Sequence, residues 1–72
     1  MNSNAGAWKT VYVTDGYLAL RTSPDYNSGN IIGQLYTGDS VQLIGGSTSG
    51  SYVQVYSPKF GSTGWVNAGF LG

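Results

Sequence analysis

Residues 10–21 of the chain read TVYVTDGYLALR, two stretches of alternating side chains separated by an Asp-Gly pair. The first stretch puts its two valines on one face and its tyrosine on the other, since successive side chains of a strand point to opposite faces. The second stretch puts Leu18 and Leu20 on one face in the same way. Asp-Gly is a typical turn pair. The pattern therefore predicts two strands joined by a turn.

The same signal recurs along the rest of the chain, at residues 31–36, 41–44, 52–56 and 64–67. No ten-residue stretch has apolar residues at helical spacing without a glycine or a β-branched cluster interrupting it. Short strands about 8–12 residues apart, separated by glycine-rich turns, predict a small all-β sandwich or barrel. We expect closure into a barrel, because an open sheet of this size would leave apolar edges exposed.

Two glycines and one set of aliphatic residues refine this fold. Gly38 is expected to supply a positive φ in a turn, and Gly33, inside a strand, predicts a bulge or bend. Residues 22–30 and 45–51 are polar and predict surface loops. The predicted core consists of Val11, Val13, Leu18, Leu20, Ile32, Leu35, Val41, Leu43, Val53, Val55, Val66 and Leu71.

The composition limits what this chain can do. Its 72 residues make one small domain, and a chain this short buries only about 60% of its unfolded surface. Histidine, cysteine and glutamate are absent. Their absence excludes a disulfide framework, a Cys/His zinc site, a histidine-dependent nucleophile and a glutamate general acid. We therefore expect neither an enzyme nor a cofactor.

The charge balance and the lack of long apolar runs limit the kinds of partner that we expect. The net charge is zero, with three basic residues, which argues against nucleic acid because its binding depends on Lys and Arg. No run of about 18 apolar residues is present, so membrane insertion is not expected.

Residues 1–8 are interpreted as a flexible leader or expression remnant, since they lack the features of a signal peptide. Residues 9–72 are expected to form the single domain.

The order of these signals resembles the bacterial Src-homology-3 (SH3) domain family. Residues 18–24, LALRTSP, resemble its L-N-V-R-S-G-P opening, and residues 31–39, IIGQLYTGD, resemble its V-I-G-x-L-x-x-G-x stretch. Residues 41–43 match the following strand, and residues 64–66 with 70–71 match the G-W-V…Y-L ending. The resemblance implies an SH3-like β-barrel of about five to seven short strands.

The chain departs from the family pattern on loops and on outward faces. Ala19 and Ser23 replace a usual Asn and Gly, and Tyr52 stands where the family commonly has Trp. The segment 57–63 is several residues longer than the common form. These changes affect the expected ligand more than the expected fold.

Candidate binding residues are mostly aromatic. Tyrosine offers a large apolar face, a hydroxyl and little entropy loss on binding. Part of this aromatic set could equally cover a thin core. In an SH3-like barrel the loop 22–30 and the strand 52–56 are expected to flank one groove. The predicted ligand-binding residues are Tyr17, Asp25, Tyr26, Asn27, Tyr52, Gln54 and Tyr56.

Several other residues are expected to have structural roles. Asp15, Asp25 and Asp39 lie in turn sequences, where carboxylates usually bond local groups. Arg21 is expected to bond a loop carbonyl or Asp25, with ligand binding as the alternative role. For Trp65 the resemblance implies packing in the core or at its rim. Trp8 precedes the first predicted strand and would clamp the terminus or contact a partner.

The resemblance implies a non-catalytic module of an extracellular or envelope-associated protein. The first hypothesis is a targeting module that binds peptidoglycan, through its peptide stem or cross-bridge, and brings an attached catalytic domain to the wall. The alternative is a structural or assembly module that makes protein contacts in a surface or phage protein, which a neutral, tyrosine-rich surface suits equally well.

Overall fold

Six strands and two single-turn 3-10 helices make up the computed structural model, which describes residues 5–72 apart from the side-chain surroundings of residues 5, 28, 46 and 47. The strands are β1 (Ala5–Thr10), β2 (Leu18–Arg21), β3 (Ile31–Leu35), β4 (Ser40–Ser49), β5 (Tyr52–Ser57) and β6 (Ser62–Asn67). The 3-10 turns span Ser28–Asn30 and Ala68–Phe70. No helix within these residues is long and apolar enough to cross a membrane.

The strands form one antiparallel sheet in the order β1-β4-β5-β6-β2-β3. This confirms the predicted all-β, SH3-like fold and its strand number. The expected closure is wrong in one respect: within residues 5–72, β1 and β3 are edge strands with no ladder between them. In place of a ladder, the segment that follows β1 bonds to the turn that follows β3.

That segment is held between two other parts of the chain. The Val11 N–H donates to the Asp39 carbonyl at 2.8 Å, and the Val11 carbonyl accepts from the Gly38 N–H at 2.9 Å. Thr10 and Gly72 exchange two hydrogen bonds of 3.0 and 2.8 Å. The strand expected over 10–14 is therefore wrong beyond Thr10, because the backbone there is divided between two partner segments.

β1 itself begins at Ala5, ahead of the expected domain start at residue 9. It pairs with β4, with Trp8 opposite Gln42, and the Gln42 side-chain amide donates to the Gly6 carbonyl at 3.2 Å. Backbone pairing stabilises an extended chain whatever its side-chain pattern. Residues 5–8, which the sequence assigns to a flexible leader, are therefore part of a strand. Residues 1–4 lie outside the described residues.

β4 is longer than its sequence signal at 41–44. It runs to Ser49, so the polar loop expected over 45–51 is wrong for most of its length. Thr48 and Ser49 pair with the first residues of β5, and the register shift between Leu43 and Thr48 accommodates the glycine-rich stretch. Partner strands impose extended structure on residues that have little strand propensity of their own.

The core contains eleven of the twelve predicted residues, and Ala19, which was not among them, is buried as well. Fully buried or nearly so are Val11, Leu18, Leu20, Leu35, Val41, Val55 and Val66, and packed against them are Val13, Leu43, Val53 and Leu71. Ile32 was expected inside but is 37% exposed. Leu20 pairs with Gly33 whereas Arg21 pairs with Ile31, so Ile32 is the extra residue of a bulge. The bulge expected at Gly33 thus lies beside it and turns Ile32 outward.

The turn after β3 combines a backbone and a side-chain constraint. Gly38 has φ +98°, as expected, a value that residues with a Cβ rarely adopt. The Asp39 carboxylate accepts the Tyr36 N–H at 2.8 Å and the Lys59 ammonium at 3.0 Å through the same oxygen. This connects the turn to the loop between β5 and β6.

These contacts make stability depend on pH. The Tyr36 N–H, and then Lys59, hold the pKa of Asp39 below its ordinary value, against the opposing effect of burial. Because the pKa of Asp39 is lower in the folded state, its carboxylate stabilises the fold at pH values above its unfolded-state pKa. This stabilisation is lost as the pH falls through the folded-state pKa. As the pH falls from about 5 to about 2, the free energy of unfolding should decrease more in the native chain than in the Asp39→Asn variant.

Urea unfolding at both pH values measures this difference. Lys59→Met is the matched variant. It should keep most of the pH dependence of stability, because the Tyr36 N–H lowers the pKa of Asp39 more than Lys59 does. Equal pH dependence in the native chain and Asp39→Asn would contradict the assignment.

Candidate functional site

A cavity of about 210 Å³ opens on the outer face of the sheet. It lies where the start of β2, the loop 22–30, the start of β5 and the second 3-10 turn meet. Four of its eight lining residues are aromatic: Tyr17, Tyr26, Tyr52 and Phe70. Arg21 and Asn67 supply polar groups, and Leu18 and Ala19 complete the lining.

Strand pairing brings these residues together. Ala19 and Arg21 are two apart on β2 and therefore share a face. Arg21 pairs with Trp65 on β6, and Tyr52 on β5 pairs with Asn67, two residues further along β6. One outward face of three adjacent strands thus provides the base of the cavity.

Arg21 holds the loop 22–30 against this face. It is only 7% exposed, and its Nη1 donates to the Asn27 carbonyl at 2.7 Å and to the Asn30 Oδ1 at 2.9 Å. The Tyr26 ring lies over the guanidinium, 4.7 Å from centroid to Cζ, although the residue is 87% exposed. The bond to a loop carbonyl was expected for Arg21. The guanidinium thereby sets the position of the Tyr26 ring at the rim.

Asn30 is the centre of the loop's hydrogen bonds. While its Oδ1 accepts from Arg21, its Nδ2 donates to the Ser23 Oγ at 2.9 Å and to the Asp25 Oδ1 at 2.8 Å. The Asp25 carboxylate also accepts from the Ser23 hydroxyl at 3.3 Å. Asp25 is thus occupied by contacts within the loop, as the turn interpretation of the aspartates expects.

The structure places three of the seven predicted site residues, Tyr17, Tyr26 and Tyr52, in the cavity wall and the other four outside it. Asp25 and Asn27 bond within the loop; the Asn27 Oδ1 accepts the Gly29 N–H at 2.8 Å. Gln54 and Tyr56 share the face of Tyr52 but lie about 7 and 13 Å further along β5 at the usual rise of a strand. A ligand-binding role for these residues remains a prediction.

Phe70 and Asn67 were not predicted as site residues, yet they line the cavity. A local signal marks them. Each 3-10 turn begins within an Asn-x-Gly sequence whose Asn caps it, and in each the Asn Oδ1 accepts the N–H of the glycine two residues on, at 2.8 Å for Asn27 and 2.9 Å for Asn67. Such Asx contacts begin turns. The repeated Asn-x-Gly motif indicates the two turns on either side of the cavity.

The aromatic surface continues beyond the cavity. The rings of Tyr17 and Tyr36 are 6.5 Å apart and tilted by 59°. The Lys59 ammonium lies 4.9 Å from the Tyr36 ring centroid while bonding Asp39. Asp39 thus neutralises Lys59. Among the residues that line the cavity, the charged one is Arg21.

Comparison with known proteins agrees with this architecture. A profile of the bacterial SH3 domain family matches residues 16–72, which include β2 to β6 and both 3-10 turns. No curated protein and no solved structure gives a significant match to the chain.

Proposed function

Since the chain belongs to the bacterial SH3 domain family, a family of binding modules, we propose that it is a non-catalytic module that targets an attached protein to the cell wall. Its ligand is peptidoglycan, bound through the peptide stem or the cross-bridge. This role implies an extracellular or envelope-associated protein and a neighbouring catalytic domain as the cargo.

One observation carries the proposal: tyrosine rings from a strand start and a loop meet a phenylalanine ring around one small cavity. Aromatic walls with a few polar groups are typical of binding sites. A peptide segment would pack on the ring faces and exchange hydrogen bonds with the tyrosine hydroxyls and with Asn67. The small contact area implies modest affinity.

The same geometry favours binding over catalysis. Two of the three carboxylates, Asp25 and Asp39, are engaged in loop and turn contacts away from the cavity. The described lining holds no carboxylate that could act as a general acid or base.

We expect Tyr26→Ala to weaken retention on purified peptidoglycan about five- to tenfold, in line with the loss of one aromatic contact. Because Tyr26 is exposed, this change should leave the unfolding midpoint nearly unchanged. Tyr52→Ala should weaken retention similarly. Tyr56→Ala is the matched control, since it removes the same side chain from β5 outside the cavity. Co-sedimentation at low and high salt measures retention.

Two results would contradict the proposal. If the native domain stays in the supernatant at every salt concentration, wall binding is wrong. If Tyr56→Ala lowers retention and Tyr26→Ala does not, the binding surface lies further along β5 and outside the cavity.

An assembly module is the second candidate, and one observation favours it. Trp8 is 56% exposed on β1, an edge strand of the sheet. Exposed edges with apolar side chains readily pair with other chains. Light scattering over a concentration series separates the candidates, because an assembly module would self-associate and lose that association in Trp8→Ala, whereas a wall-binding module would stay monomeric.

A further inference from the structure

Arg21 is a buried cation without a neighbouring anion. It is 93% buried, and within the described residues no carboxylate lies within 4 Å of its guanidinium. The nearest acid in the hydrogen-bond network is Asp25, and it reaches Arg21 only through the Asn30 side-chain amide. Burying a charge is costly unless an opposite charge or several hydrogen bonds compensate it.

The hydrogen bonds of Arg21 leave one edge of its guanidinium available. Nη1 carries two N–H groups and has two acceptors, the Asn27 carbonyl and the Asn30 Oδ1. The Tyr26 ring covers one face of the group. Nε–H and one Nη2–H point in parallel along the remaining edge, and the described residues offer them no acceptor. This is the fork that matches the two oxygens of a carboxylate.

The surroundings of this edge suit the end of a peptide. Arg21 belongs to the cavity wall, together with aromatic rings that can pack on apolar atoms of a ligand. The Asn67 Oδ1 already accepts the Gly69 N–H, so its amide N–H groups remain as donors. Among the side chains of the lining, Arg21 is the cation, Asn67 and the tyrosines are neutral, and none is an anion.

We propose that the fork of Arg21 receives a carboxylate of the peptide ligand, so that the domain prefers carboxylate-bearing peptides over neutral ones. The inference rests on the proposed function, because it specifies the chemistry of the peptide bound in the same cavity. The carboxylate can belong to a peptide C-terminus or to an acidic side chain, and the experiment distinguishes these two sources.

The sequence provides a direct probe, because Arg21 is the only arginine of the chain. Its Nε–Hε cross-peak in a ¹⁵N–¹H spectrum is therefore unambiguous. Three peptides are titrated: N-acetyl-trialanine with a free C-terminus, the same peptide as its C-terminal amide, and N-acetyl-Ala-Glu-Ala amide. Inorganic phosphate is the control anion, and co-sedimentation with peptidoglycan is measured on the same sample.

We expect a carboxylate peptide to shift the Nε–Hε cross-peak to saturation and to bind at least about tenfold more tightly than the neutral amide. Saturation by the free-acid trialanine identifies the C-terminus as the source, and saturation by the Glu peptide identifies a side chain. Arg21→Lys, which keeps the charge but not the fork, should lose the preference, whereas Lys59→Met should keep it. If Arg21→Lys does not fold, the cross-peak of the native chain still decides.

Four results would overturn the inference. Equal binding of acid and amide peptides would refute it while leaving peptide binding intact. Saturation by phosphate alone would make the fork a site for another anion. Absence of any peptide-induced shift, with retention on peptidoglycan preserved, would refute the carboxylate site alone; loss of both would refute the proposed function as well.

Discussion

Leu20→Ala is expected to lower the free energy of unfolding by about 2–5 kcal/mol, the largest loss among the changes considered. Leu20 is fully buried in the middle of β2. Its side chain packs over Gly64 so closely that a Cβ there would lie 2.8 Å from the Leu20 Cδ1. Removing a buried leucine side chain loses its transfer free energy and leaves a cavity, and the two losses together reach this magnitude.

The size of the domain makes this loss decisive. At the usual stability per residue, a chain of 72 residues has a total of roughly 4–11 kcal/mol. The variant should therefore be partly unfolded at 37 °C or close to it. Urea unfolding followed by tryptophan fluorescence measures the loss.

Ile32→Ala is the control for Leu20→Ala, because it removes a side chain of similar size from a partly exposed bulge. Its loss should be clearly smaller, since part of its surface is in water already. Equal losses of unfolding free energy in the two variants would contradict the placement of Leu20 in the core and of Ile32 at the surface.

The second large effect is expected from Asn30→Ala, which should lower the unfolding free energy by about 2–4 kcal/mol. The change removes the Oδ1 acceptor from the buried Arg21 and the Nδ2 donor from Ser23 and Asp25. A hydrogen bond to a charged group contributes about 1.5–3 kcal/mol, and leaving a buried charge with fewer acceptors adds to the loss.

The functional consequence of Asn30→Ala should follow from the same contacts. Because Arg21 and Asn30 hold the loop 22–30, the loop should open and the Tyr26 ring should leave its position at the cavity. Amide hydrogen exchange should then quicken at Thr22, whose N–H donates to the Asn30 carbonyl at 2.8 Å. Retention on peptidoglycan should fall with it.

Asn27→Ala is the matched control for this loop. Its side chain accepts one local N–H, that of Gly29, so it should cost only about 1 kcal/mol. If the two asparagine variants are equally stable and Thr22 stays protected in both, Asn30 is not the centre of the loop.

Local pattern was sufficient where neighbouring side chains alternate regularly. In β2 and β5 the alternation identified the inward residues, including Leu18, Leu20 and Val55, because burial of one face selects the register of a strand. Gly38 was identified in the same local way, since its φ follows from the turn itself. The loop carbonyl that Arg21 bonds was likewise expected, although the particular acceptors were not.

Pattern failed where pairing with another strand sets the conformation. Ile32 points outward because a bulge against β2 inserts one residue into β3. β4 continues past its apolar residues because β5 pairs with it, and β1 exists because β4 provides its partner. Pairing with a partner strand leaves no periodic signal in the sequence of the segment that it shapes.

The candidate site divides in the same way. The sequence alone determined that most candidate binding residues are aromatic, since ten aromatic residues accompany three carboxylates and no histidine or cysteine. It also determined that Tyr17, Tyr26 and Tyr52 were candidates, because they lie at loops and on outward strand faces.

Only the tertiary structure decided which aromatic residues share a cavity and what charge lies among them. Phe70 and Asn67 join the wall because the chain end folds back beside Thr10 and Tyr12. Asp25 and Asn27 lie outside the wall, because Arg21 and Asn30 hold their loop together through hydrogen bonds within it. Composition specifies which groups are present, but the cost of burying polar groups without partners determines which of them remain free to meet a ligand.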